Sequence, residues 1–357
     1  MKQHKLTVVM TAYNIAPQLP RFFECMRKQT FSDYCLLVVD DGSADDSLAV
    51  CREHAAKDDR IKVVASEHLG IPAIKNLALS YLDTPLTAFA DGDDYFEPDY
   101  LKHLVEALER NNADLAISRV VYHHENDPKP FLTQAAYGET VVTEPEFTEK
   151  FPMLLRDRRF NYVYAKAYRT ELLKDVHIDD EMIQGEDTVM VLRYMKNVKS
   201  IVLIDDEDYH YVKYTSRSVT SYKGMDSYKR MIILNKFLYT YFREQGWLTE
   251  EMLFVIDGRM LISGNWAVEN IIKATAPKKE KIACLNDIFN NEYYKRAYER
   301  QKDNLDKLTF RYIPPQDGIE YYNKRISEEK HEKMHAALRE KAPSFIIKSY
   351  DKLRGNN

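Results

Sequence analysis

Several sequence features that would assign a protein to a common class are missing from this chain of 357 residues. The four cysteines form no C-x-x-C pair, which excludes the usual pattern of a structural zinc site or a redox dithiol. No G-x-G-x-x-G follows the first predicted strand, and no G-x-x-x-x-G-K-[ST] occurs, so dinucleotide-binding and P-loop fingerprints are both absent. The 11 glycines and 13 prolines are too few for a fibrous or low-complexity chain.

Long apolar segments are missing as well. No run reaches 18 apolar residues, the length that a membrane-spanning helix requires. The apolar stretch that follows Lys5 is too short for the hydrophobic region of a secretory signal. We therefore expect a cytoplasmic protein, with a position at the inner face of the cell membrane as the alternative.

The charge of the chain is unevenly distributed. The net charge of −5 argues against nucleic acid as a partner, because nucleic-acid-binding proteins usually present a basic face. Residues 271–357 nevertheless carry 19 lysines and arginines against 13 aspartates and glutamates. This basic end, including the apolar and basic mixture at residues 345–354, could hold an anionic polymer or rest on an anionic membrane surface. A packing domain, a solvated helical surface or a contact in a homo-oligomer is the alternative.

The first 120 residues alternate between short β-branched runs and segments with apolar residues at helical spacing. The runs predict strands at residues 6–12, 35–39, 61–65, 86–90 and 115–121. Ser43 is predicted to be the N-cap of the helix after the second strand. Such alternation indicates βαβ units and a parallel sheet, in which ligands bind beyond the carboxyl ends of the strands.

Strand patterns give way to long helical patterns in the last third of the chain. Helices are predicted at residues 225–244, 248–272, 278–306 and 327–338. We place a domain boundary near residue 222. The fold expected is α/β, with a sheet domain over residues 1–222 and a helical C-terminal domain over residues 223–357.

Two acidic clusters lie where predicted strands end. Asp91, Asp93 and Asp94 crowd three carboxylates together, which is costly unless a cation sits among them. Oxygen ligands suit Mg²⁺ or Mn²⁺, and an acidic turn is the alternative. At the end of the second strand, a carboxylate of the DDGS run at residues 40–43 could accept hydrogen bonds from a ribose or a base. A turn followed by a helix cap is the alternative for this run.

The order of these motifs resembles that of the family 2 glycosyltransferases, which have the GT-A fold. The resemblance is carried by the runs TAYN, DDGS, G-x4-KN and DGDD over residues 11–94, and by matches downstream. These are the aromatic-x-K-x-Y stretch at residues 164–168, GED at residues 185–187, and K-x4-S-V-T at residues 213–220. The resemblance therefore spans about residues 5–220 and implies a GT-A-like nucleotide-sugar-binding domain.

The resemblance also implies a donor site. Its residues would be Thr11, Tyr13, Asp41, Lys75, Asp91, Lys213, Arg217 and Ser218. Asp41 would hold the uracil, and Lys75 would contact the uracil or the diphosphate. Lys75 and Lys213 stand where the family usually has arginine, and lysine is a point charge that cannot form a bidentate contact.

For the reaction itself, the resemblance implies a metal and a base. Asp93 would be the main ligand of Mn²⁺ or Mg²⁺, with Asp91 and His210 as further ligands. Asp187 would be the general base, with Glu186 beside it. A lone histidine such as His210 is also common as an ordinary structural residue.

The function expected is inverting transfer of a hexose or N-acetylhexosamine from a UDP-sugar. The acceptor would be a hydroxyl of a glycan or polyol phosphate, such as a capsule, an exopolysaccharide or a teichoic acid, free or lipid-linked. A catalytically silent sugar-nucleotide-binding or scaffolding protein is one alternative, against which the intact carboxylates count. A nucleotidyltransferase is another, but it should carry a Gly-rich basic loop after the first strand, and residues 13–17 have neither feature.

Overall fold

The computed structural model describes residues 4–125, 127–132, 134–214, 225, 227–303, 320 and 323–325. The strands of this part of the chain are β1 (Leu6–Ala12), β2 (Tyr34–Asp41), β3 (Ile61–Ser66), β4 (Leu86–Phe89), β5 (Tyr95–Phe96), β6 (Leu115–Ile117), β7 (Val120–His124), β8 (Asp127–Leu132), β9 (Thr140–Thr143), β10 (Lys166–Arg169), β11 (Ser200–Leu203) and β12 (Tyr209–Lys213). Its α-helices are α1 (Leu19–Arg27), α2 (Ser47–Ala55), α3 (Ile71–Leu79), α4 (Tyr100–Arg110), α5 (Phe147–Arg156), α6 (Glu186–Met195), α7 (Ser227–Glu244), α8 (Glu250–Lys273), α9 (Lys278–Asn290) and α10 (Glu292–Gln301).

One sheet has eight strands, which lie in the order β3-β2-β1-β4-β10-β6-β11-β9. The first four strands in that order run parallel, as the sequence predicts. Strand β10 is antiparallel to both of its neighbours and separates β4 from β6. The predicted α/β class is confirmed, and the sheet is mixed beyond β4.

The central strands carry long apolar runs because both faces of the sheet are covered. In β2, Leu36 and Val38 belong to one buried apolar cluster, whereas Leu37 and Val39 belong to another. Side chains of a strand alternate between the two faces, so a strand buried on both sides needs a continuous apolar run. Helices therefore flank both faces, and the polar residues are left for the strand ends.

The fifth predicted strand is wrong in one respect, because residues 115–121 do not form a single strand. Residues 115–117 form β6 in the large sheet, whereas β7 belongs to a four-stranded sheet in the order β5-β12-β7-β8. Between the two strands, the backbone N–H of Ser118 donates to Ala165, and that of Arg119 donates to Asp206. These bonds to other segments end the first ladder and redirect the chain into the second sheet.

Two further local predictions need correction. Helix α2 begins at Ser47 with Asp46 as its N-cap, so Ser43 is not the cap. The Ser43 hydroxyl instead accepts a hydrogen bond of 3.0 Å from the backbone N–H of Asn14, which joins the ends of β1 and β2. The predicted helix over residues 278–306 is broken at Asn291, whose side chain caps the start of α10.

The chain divides into two compact units. The first contains residues 1–222 and 230–256, and the second contains residues 223–229 and 257–357. Inside the second unit, the Arg300 guanidinium forms two hydrogen bonds, of 2.6 and 2.7 Å, with the buried Asp257 carboxylate. The domain boundary at residue 222 stays a prediction, and the predicted helix at residues 327–338 lies outside the described residues. None of the described helices has the length and apolar content needed to cross a membrane.

Candidate active site

The acidic loop after β4 brings three carboxylates together. Asp91, Asp93 and Asp94 each offer an oxygen, and these atoms all lie within 4.8 Å of one another. Asp94 differs from the other two because it is fully buried and both of its oxygens accept hydrogen bonds. The donors are the hydroxyl of Tyr209 at 2.8 Å and the backbone N–H of Val212 at 2.9 Å. Asp94 thus connects the acidic loop to β12 through these two hydrogen bonds.

Asp91 and Asp93 have the chemistry of cation ligands. Burial, together with the neighbouring carboxylates of Asp187 and Asp93, raises the pKa of Asp91 to about 8. Burial also raises the pKa of Asp93. Crowded, poorly solvated carboxylates gain most from a nearby positive charge, and two carboxylates completed by substrate phosphates are a usual Mg²⁺ site. The residues present therefore fit a divalent cation.

A second carboxylate pair lies at the start of α6. Gly185 precedes it with φ of +83°, and a side chain there would collide with Leu234. Such a left-handed conformation favours glycine, which explains the GED run. The turn places Glu186 and Asp187 in the first turn of α6, where the helix dipole favours acidic side chains.

Lys75 from α3 joins this pair. Its ammonium group contacts the Glu186 carboxylate at 3.0 Å and also contacts the Asp187 carboxylate. Burial alone would lower the pKa of Lys75, but the carboxylates of Asp187, Glu186 and Asp91 outweigh burial and raise it above its usual value. Asp91 therefore lies near enough to Lys75 and the α6 pair to interact with the ammonium group electrostatically.

Asp41 at the end of β2, the loop before α3 and Tyr13 after β1 contact one another near the strand ends. The Asp41 carboxylate accepts hydrogen bonds from the backbone N–H groups of Leu69, at 2.6 Å, and Gly70, at 3.2 Å. The His68 ring contacts the same carboxylate at 2.9 Å and stacks on the exposed ring of Tyr13, with ring centroids 4.4 Å apart. Asp41 therefore shapes the loop that carries His68 to Tyr13.

Tyr13 and Asp93 line one cavity of about 650 Å³. Its other lining comes from the segment after β1, from Asp45 and Asp46, and from Tyr214. A cavity lined by both an aromatic residue and an acidic residue suits a ligand that has a flat base and, through a bound cation, a negatively charged group.

The remaining predicted site residues are placed as follows. Thr11 is half-buried in β1, and Lys213 is exposed at the end of β12. His210 lies outside the acidic group, because its ring nitrogens contact Glu97 at 3.1 Å and His123 at 3.0 Å. The metal role of His210 stays a prediction, as do the donor contacts of Lys75 and Lys213. Arg217 and Ser218 lie outside the described residues.

Two residues of the site were not predicted. His68 occurs in a loop without a recognisable spacing, so the sequence holds no signal for its contact with Tyr13. Lys166 stands in the aromatic-x-K-x-Y stretch, to which no role was attached. It is buried, and its ammonium group donates to the carbonyls of Tyr162 at 2.7 Å and Tyr164 at 3.2 Å. Burial lowers the pKa of Lys166 to about 7.

Residues 7–176 match the model of glycosyl transferase family 2. Among curated proteins, the chain is 25% identical over 208 residues to the uncharacterized glycosyltransferase EpsJ of Bacillus subtilis, covering 58% of this chain and 60% of EpsJ. It is 25% identical over 211 residues to the glycosyltransferase GlyA of Streptococcus pneumoniae, covering 58% of this chain and 30% of GlyA. These matches span less than two thirds of either relative.

Among solved structures, the fold is similar to that of S. aureus TarS residues 1–349 in complex with UDP-GlcNAc. The TM-score is 0.63 at 20% sequence identity, and the match covers 85% of this chain and 89% of that one. The GT-A-like fold is thereby confirmed, and residues 7–176 form a domain of glycosyl transferase family 2.

Proposed function

We propose that this chain is a metal-dependent, inverting glycosyltransferase that moves a hexose or N-acetylhexosamine from a UDP-sugar to a hydroxyl of a glycan or polyol phosphate. The observation that carries the proposal is the convergence of two carboxylate pairs. Asp91 and Asp93 follow β4, Glu186 and Asp187 begin α6, and Lys75 contacts the second pair while its pKa is raised in part by Asp91. One pair suits a cation and the other suits a base.

UDP is the nucleotide we propose for the donor. The TarS structure with UDP-GlcNAc supports this choice by its similar fold. In this chain, the exposed Tyr13 offers an aromatic face for a base, and the cavity that it shares with Asp93 would take the nucleotide. Asp91 and Asp93 would hold Mn²⁺ or Mg²⁺, which would neutralise charge on the departing diphosphate.

We assign the proton transfer to the carboxylate pair Glu186 and Asp187 at the start of α6. The acceptor hydroxyl oxygen forms a bond to the anomeric carbon, the bond from that carbon to the diphosphate oxygen breaks, and UDP leaves with the electron pair. Asp187 accepts the hydroxyl proton, which a carboxylate within hydrogen-bond reach can do. A single displacement on the face opposite the leaving group inverts the anomeric configuration.

A thermal-shift series tests the donor assignment. UDP-glucose, UDP-galactose, UDP-GlcNAc and UDP-GalNAc would each be added with Mn²⁺, with GDP-mannose as the control nucleotide sugar. We expect at least one UDP-sugar to raise the Tm in a Mn²⁺-dependent way, because a ligand that binds only the folded state stabilises it. No shift with any UDP-sugar would contradict the proposal.

A pair of tyrosine variants localises the donor. The Tyr13 side chain is 46% exposed, and Tyr81, which contacts Lys62 and does not line the cavity, is 37% exposed. We expect Tyr13→Ala to weaken the UDP-sugar shift and Tyr81→Ala to leave it unchanged. Release of UDP by the wild-type chain separates the enzyme from a silent sugar-nucleotide-binding protein, which would show the thermal shift without turnover.

A further inference from the structure

One side chain of α3 forms two hydrogen bonds with the loop that leads into α6. The amide nitrogen of Asn76 donates to the carbonyl of Ile178 at 2.7 Å, and its amide oxygen accepts from the backbone N–H of Ile178 at 2.9 Å. The two residues are 102 positions apart in the sequence. An asparagine side chain can donate and accept at the same time, so it satisfies both backbone groups of one loop residue. Asn76 therefore holds the loop at a defined point.

The loop that Asn76 holds leads directly to the proposed base. Residues 178–185 run from Ile178 to Gly185, whose left-handed backbone begins the turn into α6. Glu186 and Asp187 follow in the first turn of that helix. Because the connecting segment is short, a displacement of the backbone at Ile178 would also displace the two carboxylates.

Asn76 is adjacent to the residue that contacts the base from the same helix. Lys75 binds the carboxylates of Glu186 and Asp187, so consecutive residues of α3 hold the side chain of the base and the backbone that leads to it. The lysine side chain is long and flexible and can follow a carboxylate that moves. The short Asn76 side chain cannot do so, and we therefore expect it to define the position of the loop.

The loop is also bonded to α6 itself. Arg193 of α6 donates to the carbonyl of His177 and forms an ion pair of 2.6 Å with Asp179. These contacts keep the loop and α6 together as one body. Among the described residues, only the hydrogen bonds of Asn76 join residues 177–185 to α3. Without Asn76, the loop and α6 could shift together relative to α3.

We propose that Asn76 is a positioning residue, which holds the loop before α6 so that the Asp187 carboxylate stays within reach of the acceptor hydroxyl. This inference rests on the proposed function, because that function makes Asp187 the base. A displacement of a catalytic group by about 1 Å can lower a rate about 100-fold. None of the described residues that line the cavity of Tyr13 and Asp93 belongs to residues 177–185. Loss of Asn76 should therefore lower turnover without weakening donor binding.

Asn111 provides a matched control. It is half-buried, as Asn76 is, and its amide nitrogen donates to the Ala107 carbonyl at 2.9 Å and to the Glu139 carboxylate at 2.7 Å. It ends α4 shortly before β6, which has the same direction as β4 because both are antiparallel to β10. Asn111 thus lies near the edge of the sheet opposite the acidic loop that follows β4. Asn111→Ala removes the same atoms and also two hydrogen bonds, away from the proposed active site.

Donor hydrolysis by the full chain tests the inference without knowledge of the acceptor. The UDP-sugar with the largest thermal shift would be supplied with Mn²⁺, and release of UDP to water would be measured. We expect Asn76→Ala to lower kcat about 10–100-fold and to change KM and the calorimetric Kd of the donor by less than about twofold. Asn111→Ala should keep kcat within about twofold of the wild type. The Ile178 side chain is fully buried in the core, so Asn76→Ala should fold, and Tm values of both variants would verify this.

A double variant shows whether Asn76 acts through the base. In the Asp187→Asn background, Asn76→Ala should lower the remaining kcat by less than about twofold, because there is no longer a base to position. Hydrogen exchange adds a readout that is independent of activity. Peptides covering residues 177–187 should exchange about tenfold faster in Asn76→Ala and at the wild-type rate in Asn111→Ala, since the Ile178 N–H loses its acceptor only in the first variant.

Several results would overturn the inference. Equal kcat values for Asn76→Ala and Asn111→Ala would do so, as would an undiminished loss from Asn76→Ala in the Asp187→Asn background. A raised donor Kd with an unchanged kcat would place Asn76 in donor binding instead. Unchanged hydrogen exchange in Asn76→Ala would contradict the inference alone, whereas absence of UDP release by the wild type would contradict the proposed function on which it rests.

Discussion

Lys75 of α3 and Asp187 of α6 form a buried ion pair although 112 positions separate them in the sequence. The pair also includes Glu186, and the side chains of all three residues are at most 15% exposed. A single ammonium group thus compensates two buried carboxylates. In this structure, the lysine contacts the proposed base directly.

Removal of this ammonium group should be costly. We expect Lys75→Met to lower the free energy of unfolding by about 3–5 kcal/mol, because it leaves buried carboxylates without their counter-charge. Chemical denaturation would measure the loss. Lys62→Met is the control, since Lys62 is an exposed lysine on the neighbouring strand β3, and it should change the stability by less than about 0.5 kcal/mol.

A double variant separates the charge effect from a packing effect. If the loss in Lys75→Met comes from uncompensated carboxylates, then adding Asp187→Asn should restore part of the stability, with a coupling of about 0.5–3 kcal/mol. Strictly additive losses would show that the ion pair contributes nothing.

The aspartates of the acidic loop should differ in role, with Asp93 as a metal ligand and Asp94 as a structural residue. We expect Asp93→Ala to fold normally but to lose both the Mn²⁺-dependent part of the UDP-sugar shift and turnover. Asp94→Ala should instead lower the Tm, because it leaves the Tyr209 hydroxyl and the Val212 N–H without their acceptor, at about 1–3 kcal/mol for each group. Full activity of Asp93→Ala in EDTA would refute the assignment of Asp93 as the metal ligand.

The sequence was informative where function depends on neighbouring residues. Asp91 and Asp93 stand together after a predicted strand, and Gly185 marks the turn that starts the Glu186–Asp187 helix. The parallel direction of the first four strands also follows from the alternation of strand and helix patterns. The spacing of the acidic loop, however, could not show that Asp94 is occupied by Tyr209 and Val212, since those contacts cross more than 110 positions.

Other features depend on tertiary packing and were missed for that reason. The insertion of β10 between β4 and β6 is set by a strand that follows β6 by about 50 positions. The contact of Lys75 with Glu186 and Asp187 also depends on tertiary packing, because these residues lie on helices α3 and α6, which are far apart in the sequence. Only the full fold brings such segments together.

Lys166 should make stability depend on pH. Its pKa is lowered from 10.5 to about 7 in the folded chain, so between these values the unfolded chain binds more protons. Stability must then rise with pH across this window, by up to about 1.4 kcal/mol per pH unit from this one group. Below pH 7 both states are protonated, and the full cost of burying the charge remains.

The variant Lys166→Met isolates this contribution. Relative to the wild type, its advantage in unfolding free energy should be largest near pH 6.5 and should shrink steadily toward pH 10. Denaturation curves of both proteins at several pH values would measure the difference, which also cancels the titration of other groups. Parallel stability curves for the two proteins would contradict a lowered pKa of Lys166.

The most direct test of the account is the turnover of Asp187→Asn at saturating UDP-sugar. The amide keeps the shape of the side chain and removes the proton acceptor. We therefore expect the rate of sugar transfer, measured as UDP release in the presence of an acceptor, to fall by about 10²–10⁴-fold. Calorimetry should show an almost unchanged Kd for the UDP-sugar. Turnover at the wild-type level would contradict the role of Asp187 as the base, as would a variant that loses donor binding but keeps its rate at saturation.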